Sequence, residues 1–277
     1  MNTIQANLVS LTSEDFLNKK VDFSGKMGQA LRQGIFYVEV PPECQGNIAS
    51  AKLFAETMRA RSDQLRQFNT EPHVGFQERQ GTQVVSFVSK HPQWSNAYPE
   101  QVQSLAQSMN TLALNILKEA LIHLAIPSNM WDQATGGLTK GEGTLVFTVN
   151  HYKTGPEKIG LFAHTDMGWI TILFIDQLGL KAKVEDSWTS IPPKEGFFVV
   201  NFGKAFEILV NQPSKVSAIV HLVEPVAKER VSFGLFINHR EDTQLYHIDA
   251  QGELIAKQTY KEYLNARFVE FQTLQTQ

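Results

Sequence analysis

The change in hydrophobic spacing near Gly136 constrains the fold of this chain more than any other feature. Before that residue the apolar side chains recur every three or four positions, which predicts amphipathic helices. From Thr144 onward the period becomes two, or the runs become wholly apolar, which predicts strands. Many short strands with even spacing indicate a sandwich or a barrel, and a cupin-type jelly roll is one such solution. The predicted strands cover residues 144–152, 160–164, 170–175, 178–184, 197–202, 217–223 and 230–238.

The N-terminal part predicts helices with one strand among them. The first apolar stripe is followed by Gly34, which is suited to end a helix in a left-handed conformation. Residues 35–40 then predict a strand. The longest helix is expected between Pro99, in its first turn, and Pro127, which stops it. The helical stripes are Phe23, Met27, Ala30 and Leu31; then Ala51, Ala55, Met58 and Leu65; then Val102, Leu105, Met109, Leu112, Ile116 and Ala120.

Together these patterns predict an α+β fold in which a sandwich or barrel, with a cupin-type jelly roll as one solution, is flanked by N-terminal helices. Three regions are expected within one compact unit. Residues 1–136 form a helical and mixed region that packs on the barrel, and residues 137–242 form the core. Residues 243–277 add a short strand and a helix. A chain of 277 residues with 42% apolar composition can bury a substantial core.

Composition excludes several classes of partner. The formal net charge is −3 and no long basic run occurs, so neither nucleic acid nor an anionic membrane surface is expected to bind. No apolar stretch reaches the roughly eighteen residues of a membrane span, and the first residues do not resemble a signal peptide. The only cysteine, Cys44, lies in a predicted turn. One cysteine allows no intrachain disulfide, which favours a reducing cytoplasm; a monomer is expected.

The sequence His164-Thr165-Asp166, followed by His221, has the pattern of a metal site. Side chains alternate faces along a strand, so His164 and Asp166 project the same way. His221 lies in a second predicted strand that must fold back beside them. Two imidazoles and one carboxylate take one triangular face of an octahedral ion and leave three positions open, which suits ferrous iron. The alternative is a surface pair of His164 and Asp166 with His221 as a core histidine.

Arg230 and Ser232 are also two residues apart in a predicted strand, and they share a face. The guanidinium fork of Arg230 suits bidentate binding of a carboxylate, and the hydroxyl of Ser232 adds a donor. The competing interpretation pairs Arg230 with Glu229 or Glu241 at the surface. His239 ends the same strand and is expected to be a solvated loop residue.

Residues 147–239 resemble the iron(II)/2-oxoglutarate-dependent dioxygenases of the isopenicillin N synthase-like family, and residues 30–38 resemble its N-terminal helix-strand unit. Departures occur at residues 153–156, Lys204 and Leu222, away from the proposed ligands, and they weaken any transfer of the plant enzymes' substrates. The matching stretches are Asn-His-Tyr at 150–152, Ala-His-Thr-Asp-Met-Gly at 163–168, Ile-Leu-Phe at 172–174, residues 188–193, Gly-Phe-Phe-Val-Val-Asn-Phe-Gly at 196–203, His221, and Glu-Arg-Val-Ser-Phe at 229–233.

The resemblance implies a double-stranded β-helix core of the jelly-roll, cupin-like type, and it implies a role for each matching residue. It makes His164, Asp166 and His221 the iron ligands. It makes Arg230 and Ser232, helped by Tyr152 and Asn150, the binding site for the distal carboxylate of 2-oxoglutarate. It places Phe236 at an aromatic position that faces the substrate, and it brings the region of Arg79 and Phe87 to the mouth of the active site, where either side chain is a candidate substrate contact.

The expected function is a non-haem Fe(II) oxygenase that uses 2-oxoglutarate and dioxygen, with ascorbate as an optional reductant. It would hydroxylate, desaturate or cyclise a small molecule, with amino acids and secondary metabolites as candidate substrates. Three alternatives stay open. One is an iron oxidase of the same family that does not use 2-oxoglutarate, one is a non-catalytic barrel that binds metal or ligand, and the least favoured is a zinc hydrolase.

Overall fold

Helices and strands divide along the chain as the hydrophobic spacing predicts, with most strands after residue 144. The computed structural model describes residues 7–18, 22–69, 74–79, 82–154, 160–225 and 227–275. The helices are α1 (Ser13–Asn18), α2 (Phe23–Gln33), α3 (Pro42–Thr57), α4 (Ser62–Arg66), α5 (Trp94–Ala97), α6 (Glu100–His123), α7 (Trp131–Ala134), α8 (Lys204–Val210) and α9 (Tyr260–Gln275). The strands are β1 (Ser10–Leu11), β2 (Ile35–Glu39), β3 (Gly75–Arg79), β4 (Thr82–Val88), β5 (Thr144–Tyr152), β6 (Leu161–His164), β7 (Ile170–Ile175), β8 (Leu180–Val184), β9 (Ser187–Ser190), β10 (Phe197–Phe202), β11 (His221–Val223), β12 (Arg230–Asn238), β13 (Gln244–Ile248) and β14 (Leu254–Thr259).

Two sheets form the double-stranded β-helix. The larger has eight strands in the order β1-β2-β10-β7-β12-β5-β4-β3, and the smaller has four in the order β6-β11-β8-β9. Neighbouring strands run antiparallel except β1 and β2. The α+β jelly-roll fold predicted from the sequence is confirmed. The division of the chain at residue 136 stays a prediction. Strands β1 to β4, which precede that residue, lie in the large sheet together with strands that follow it.

The large sheet is buried on both faces, and the two faces differ in character. Phe233 and Phe147 belong to the core that the helices cover, and the Phe233 ring stacks on Phe174 with centroids 4.5 Å apart. On the opposite face, apolar residues of both sheets fill the barrel interior. Burying each large apolar side chain contributes about 1.5–3 kcal/mol. The residues of this interior cluster are Leu8, Ile35, Tyr37, Tyr152, Ile175, Leu180, Ala182, Ile191, Val199, Ile219 and Val223.

The N-terminal predictions are mostly confirmed. Helix α2 ends at Gly34, whose φ of 71° is left-handed. A side chain there would also strike the Ser217 carbonyl oxygen, 2.5 Å from an ideal Cβ. Helix α6 buries its apolar stripe against the large sheet and α3. The helix predicted over residues 51–65 is instead two helices, α3 and α4, separated by a turn.

Residues 217–220 do not form the strand that their β-branched character predicts. The Ser217 N–H donates to the Leu31 carbonyl oxygen, and the Ala218 N–H donates to the Glu207 carboxylate at 2.7 Å. These bonds tie residues 217 and 218 to α2 and α8, and among the described residues only the Val220 carbonyl oxygen accepts from a strand, from the Lys183 N–H of β8, so β11 begins at His221. The short strand β9 and helix α8 were not predicted.

Two local predictions are wrong. Cys44 lies in the first turn of α3, not in a turn between elements, and it is fully buried. Its burial raises the pKa of the thiol to about 12. His239 is not solvated either. Its ring stacks on Trp169, with centroids 5.1 Å apart, and contacts Tyr260. Burial lowers the pKa of His239 to about 3.

None of the helices in the described part of the chain combines the length and apolar character that a bilayer crossing requires.

Candidate metal centre

Strands β6 and β11 bring the two histidines together. They pair antiparallel with His221 directly opposite His164, and the ring centroids are 4.4 Å apart. Residues opposite each other in such a pair point to the same face. On its other side His221 pairs with Ala182 of β8, whose small side chain leaves room for the imidazole.

Asp166 follows β6 and turns its carboxylate toward both imidazoles. Its Oδ1 lies 3.7 Å from the Nε2 of His164 and 3.7 Å from the Nε2 of His221. One donor atom from each of the three residues lies within 4.8 Å of the others. The structure therefore gathers the predicted ligands into one cluster inside the barrel mouth. The alternative of a surface pair and a separate core histidine does not describe this arrangement.

The main chain orients both imidazoles. The Nδ1 of His164 lies 2.9 Å from the Phe162 carbonyl oxygen, and the Nδ1 of His221 lies 3.3 Å from the Ile219 carbonyl oxygen. Because a carbonyl oxygen only accepts, a hydrogen bond here requires the proton on Nδ1. In the neutral ring Nε2 then carries the lone pair that a metal binds.

The electrostatics of the cluster fit a divalent cation. Burial, together with the neighbouring His221, lowers the pKa of His164 to about 4, so its imidazole is neutral at physiological pH. Burial alone would raise the pKa of Asp166. The two histidines and the hydrogen bonds from Asn201 and Thr171 outweigh that effect and hold the pKa below its ordinary value. One anionic and two neutral donors of this kind are the set that binds non-haem Fe(II).

Thr171 and Asn201 were not singled out from the sequence. The Oδ2 of Asp166 accepts a hydrogen bond from Thr171 Oγ1 at 2.5 Å and one from Asn201 Nδ2 at 2.8 Å. A signal was present: Thr171 is the one polar residue of β7, and Asn201 is the one polar residue of β10. A lone polar side chain in a buried apolar strand needs a partner, and here both have the same one.

Arg230, Ser232, Tyr152 and Asn150 meet deeper in the same barrel. Arg230 pairs in register with Tyr152, and Ser232 with Asn150. The guanidinium lies over the Tyr152 ring, 4.8 Å from its centroid, and its Nη1 is 3.5 Å from Ser232 Oγ. The Asn150 Nδ2 is also 3.5 Å from that oxygen. The residues predicted to bind 2-oxoglutarate therefore form one polar patch in an apolar interior.

Arg230 is buried without a carboxylate partner. It is 1% exposed, and no Asp or Glu of the described residues lies within 4.0 Å of it. Glu229 faces outward and lies 3.3 Å from His151 Nε2, so the predicted surface pair with Arg230 does not form. A buried guanidinium is costly unless it is paired. The site thus has the charge and the geometry to receive the carboxylate of a ligand.

The three candidate substrate residues have different positions. Phe236 is half-buried on the interior face, paired with Thr171 and Val146. Phe87 faces the helices, where it packs on Tyr98 at 5.7 Å, so the prediction that it contacts substrate is wrong. Side chains alternate along β4, so Ser86 points into the barrel and its neighbour Phe87 points to the face that the helices cover. Arg79 ends β3, and its side chain lies outside the described residues.

Ser86 and Thr148 line the barrel interior where Phe87 was expected to. They pair in register across β4 and β5, and their hydroxyl oxygens are 2.9 Å apart. Gly234 of β12 lies opposite Thr148 and has no side chain to cover the Ser86–Thr148 pair. The side chains of Phe236 and Leu173 border the space beside Gly234. This wall is continuous with Asn150 on one side and Phe236 on the other.

A jelly roll with two histidines and an aspartate converging at its mouth defines the non-haem iron class of proteins. Comparison with known proteins agrees. Residues 143–239 match the 2OG-Fe(II) oxygenase superfamily. Its cofactors, Fe(II) and 2-oxoglutarate, fit the donor set and the buried Arg230 described above.

Plant enzymes are among the relatives in sequence. The 1-aminocyclopropane-1-carboxylate oxidase of Persea americana is 26% identical over 196 residues, which cover 69% of this chain and 61% of that one. Jasmonate-induced oxygenase 2 of Arabidopsis thaliana is 28% identical over 159 residues, covering 56% and 42%. The chain thus spans less than two thirds of the length of these relatives.

Solved structures share the fold over nearly the whole chain. JOX2 in complex with 2OG, Fe and JA superposes with a TM-score of 0.79 at 21% identity, covering 95% of this chain and 86% of that one. The dioxygenase for auxin oxidation in rice has a TM-score of 0.74 at 19% identity, covering 95% of each chain.

The approach of α8 to Asp166 yields a first prediction. Gly203 precedes α8, and an added Cβ would lie 2.3 Å from the Gly168 carbonyl oxygen. Replacing Gly203 by Ala is therefore expected to displace the turn after Asp166 and to lower the free energy of unfolding by about 1–3 kcal/mol. Chemical denaturation of the metal-free protein measures this. Gly46→Ala is the control, since a Cβ there meets nothing within 4 Å in helix α3. Equal stability of the two variants would contradict the prediction.

Proposed function

We propose that this protein is a 2-oxoglutarate-dependent Fe(II) dioxygenase that oxidises a small molecule. The observation that carries the proposal is that one barrel interior holds both the His164, Asp166 and His221 cluster and a buried Arg230 to which the described residues offer no carboxylate. A metal cluster alone would suit several kinds of chemistry. A guanidinium with no carboxylate partner among the described residues, on the interior face of the same barrel, adds the requirement for an acidic ligand, and 2-oxoglutarate meets that requirement.

The residues divide the work by position. His164, Asp166 and His221 would hold the iron, with the Asp166 anion offsetting its charge. Arg230, Ser232 and Tyr152, supported by Asn150, would bind the distal carboxylate and so aim the 2-oxo group toward the metal. Bound Fe(II) would supply the activation of dioxygen. The activated dioxygen would oxidise the substrate while 2-oxoglutarate is decarboxylated to succinate. The apolar interior residues, Ile175 and Val199 among them, exclude water from the reacting groups.

The substrate is proposed to lie against Phe236 and the Ser86–Thr148 pair. When one hydroxyl of this pair donates to the other, the second keeps a free hydrogen for an oxygen or nitrogen acceptor. Phe236 offers an apolar surface beside it. A small molecule with one acceptor group and an apolar body fits this wall, and free or acylated amino acids are a sensible first set. We further propose a monomeric protein located in the cytoplasm, with no nucleic-acid partner.

The nearest rival is an iron oxidase that uses no 2-oxoglutarate. One of the relatives is an oxidase by name, and a buried Arg230 could bind the carboxylate of a substrate instead. A non-catalytic barrel is the second rival. The oxidase would consume oxygen without forming succinate, and the non-catalytic barrel would do neither.

The test is succinate formation by protein loaded anaerobically with iron and 2-oxoglutarate, then exposed to oxygen with a panel of metabolites. We expect oxygen-dependent succinate that increases with a substrate and is absent without iron. Oxygen consumption with no succinate would support the oxidase instead. No oxygen consumption under any condition would support the non-catalytic barrel.

A further inference from the structure

Thr171 and Asn201 are two buried polar residues whose role goes beyond filling the core. Each is 4% exposed, and each is the only polar residue of an otherwise apolar strand. They lie opposite each other across β7 and β10, so both side chains enter the barrel at the same height. The register, and not chance proximity, delivers two hydrogen-bond donors to one place.

That place is a single atom, the Oδ2 of Asp166. Thr171 Oγ1 donates to it at 2.5 Å and Asn201 Nδ2 at 2.8 Å. The other carboxylate oxygen, Oδ1, is the one that faces the Nε2 atoms of both histidines. The two donors therefore distinguish the oxygens of Asp166 from each other.

The main chain at Asp166 is held separately. The Lys204 N–H donates to the Asp166 carbonyl oxygen at 2.8 Å, at the start of α8. The Tyr263 hydroxyl donates to the next carbonyl, that of Met167, also at 2.8 Å. With the backbone anchored in this way, the freedom that remains at Asp166 is rotation of its carboxylate, and Thr171 and Asn201 restrict that rotation.

A carboxylate binds a metal through one oxygen or through two. We propose that Thr171 and Asn201 are positioning residues that keep Asp166 a one-oxygen ligand by engaging Oδ2. The consequence is that three positions of an octahedral ion stay available, two for 2-oxoglutarate and one for dioxygen. Two-oxygen binding by Asp166 would take one of them. This inference rests on the proposed metal centre.

The experiment uses Co(II) as the probe, because its visible spectrum reports the number and type of its ligands. We compare Thr171→Val, which keeps the shape of the side chain but removes the donor, with Asn201→Leu and with Thr171→Ser, which keeps the hydroxyl. Loss of either donor is expected to weaken Co(II) binding by about 10- to 100-fold, as loss of such supporting partners does in other metal sites. The Co(II) spectrum should change, and 2-oxoglutarate should bind the Co(II) protein more weakly. Thr171→Ser should retain wild-type behaviour.

Thr135→Val is the matched control. Thr135 is fully buried and its hydroxyl also donates a hydrogen bond, to the Trp131 carbonyl oxygen, but it lies outside the metal centre. Its Co(II) affinity and spectrum should equal those of the wild type, even if its melting temperature falls. Circular dichroism checks the fold of each variant, and if one of them is unfolded the other two still decide.

The outcomes separate this inference from the function on which it rests. If wild-type protein binds no Co(II), the metal centre and this inference both fail. If Co(II) binds the wild type, and Thr171→Val and Asn201→Leu show unchanged Co(II) affinity, an unchanged spectrum and unchanged 2-oxoglutarate affinity, the inference alone is overturned. Weaker binding with an unchanged spectrum and unchanged 2-oxoglutarate affinity also overturns it, because the two residues would then be merely structural.

Discussion

Replacing Asp166 by Ala is expected to weaken Fe(II) binding strongly and to abolish 2-oxoglutarate turnover. The change removes the only anionic donor of the cluster and leaves two neutral imidazoles. The free energy of zinc binding at structural sites is about 10–16 kcal/mol for four ligands. Divided equally among the ligands, this means that the loss of one ligand weakens metal affinity by roughly 100- to 1000-fold. It also leaves the donors of Thr171 and Asn201 without their acceptor. Titration with Fe(II) under anaerobic conditions, followed by a succinate assay, measures both losses.

Asp249 provides a matched control for this variant. Its Oδ1 accepts two main-chain hydrogen bonds at 2.9 Å, from Gln251 and Glu253, in the turn between β13 and β14. Asp249→Asn should leave iron binding and turnover unchanged. His164→Ala should resemble Asp166→Ala, because it removes another ligand. Unchanged succinate production in either of these two variants would reject the assignment of the metal centre.

Replacing Arg230 by Met is expected to remove 2-oxoglutarate binding while sparing the metal. Truncating one partner of a buried charge pair costs about 2–5 kcal/mol, which corresponds to a dissociation constant larger by roughly 30- to 5000-fold. The dissociation constant of Arg230→Lys for 2-oxoglutarate should fall between those of the wild type and Arg230→Met, because an ammonium group keeps the charge but cannot reproduce the bidentate fork. Ser232→Ala should have the smallest effect, about 0.5–1.5 kcal/mol, because it removes one neutral hydrogen bond. Binding of 2-oxoglutarate to the iron-loaded protein without oxygen measures each of these.

The same variant has a second expected effect, of opposite sign, on stability. Arg230 is a buried cation with no carboxylate partner in the described part of the chain, and its long hydrogen bonds to the Gln177 carbonyl oxygen and the Ser232 hydroxyl offset only part of the cost of burying that charge. Arg230→Met should therefore leave the melting temperature of the ligand-free protein unchanged or raise it, since apolar replacement of buried charge is often neutral or favourable. The wild type, but not the variant, should gain stability on adding 2-oxoglutarate. A large loss of stability in the ligand-free variant would show that Arg230 is structural.

Much of this site could be predicted because strand geometry makes local spacing informative. His164 and Asp166 are two residues apart, as are Arg230 and Ser232, and alternation alone puts each pair on one face. The lone polar residues of β7 and β10 carried the same kind of information. They were missed because Asn201 lies 35 residues from Asp166, and because Thr171, only five residues away, is separated from Asp166 by a turn whose path the sequence does not give.

Errors arose where contacts between distant segments decide the outcome. Residues 217–220 have the composition of a strand, yet the N–H groups of Ser217 and Ala218 donate to Leu31 and Glu207 in two helices. His239 follows the last barrel strand, where solvent is the usual neighbour, yet Trp169 and Tyr260 cover it. Phe87 was assigned to the barrel mouth by its region alone, and the pairing of β4 with β5 turns it toward the helices.

By itself the sequence determined the class of fold, the candidate ligands and the face that each local pair shares, because a two-residue period is a property of the strand alone. Only the tertiary structure decided that His221 lies opposite His164, that no carboxylate of the described segments lies beside Arg230, and that the donors of Thr171 and Asn201 reach one oxygen of Asp166. Register between strands depends on which distant segments pack together and bury their apolar sides. Local spacing does not contain that information.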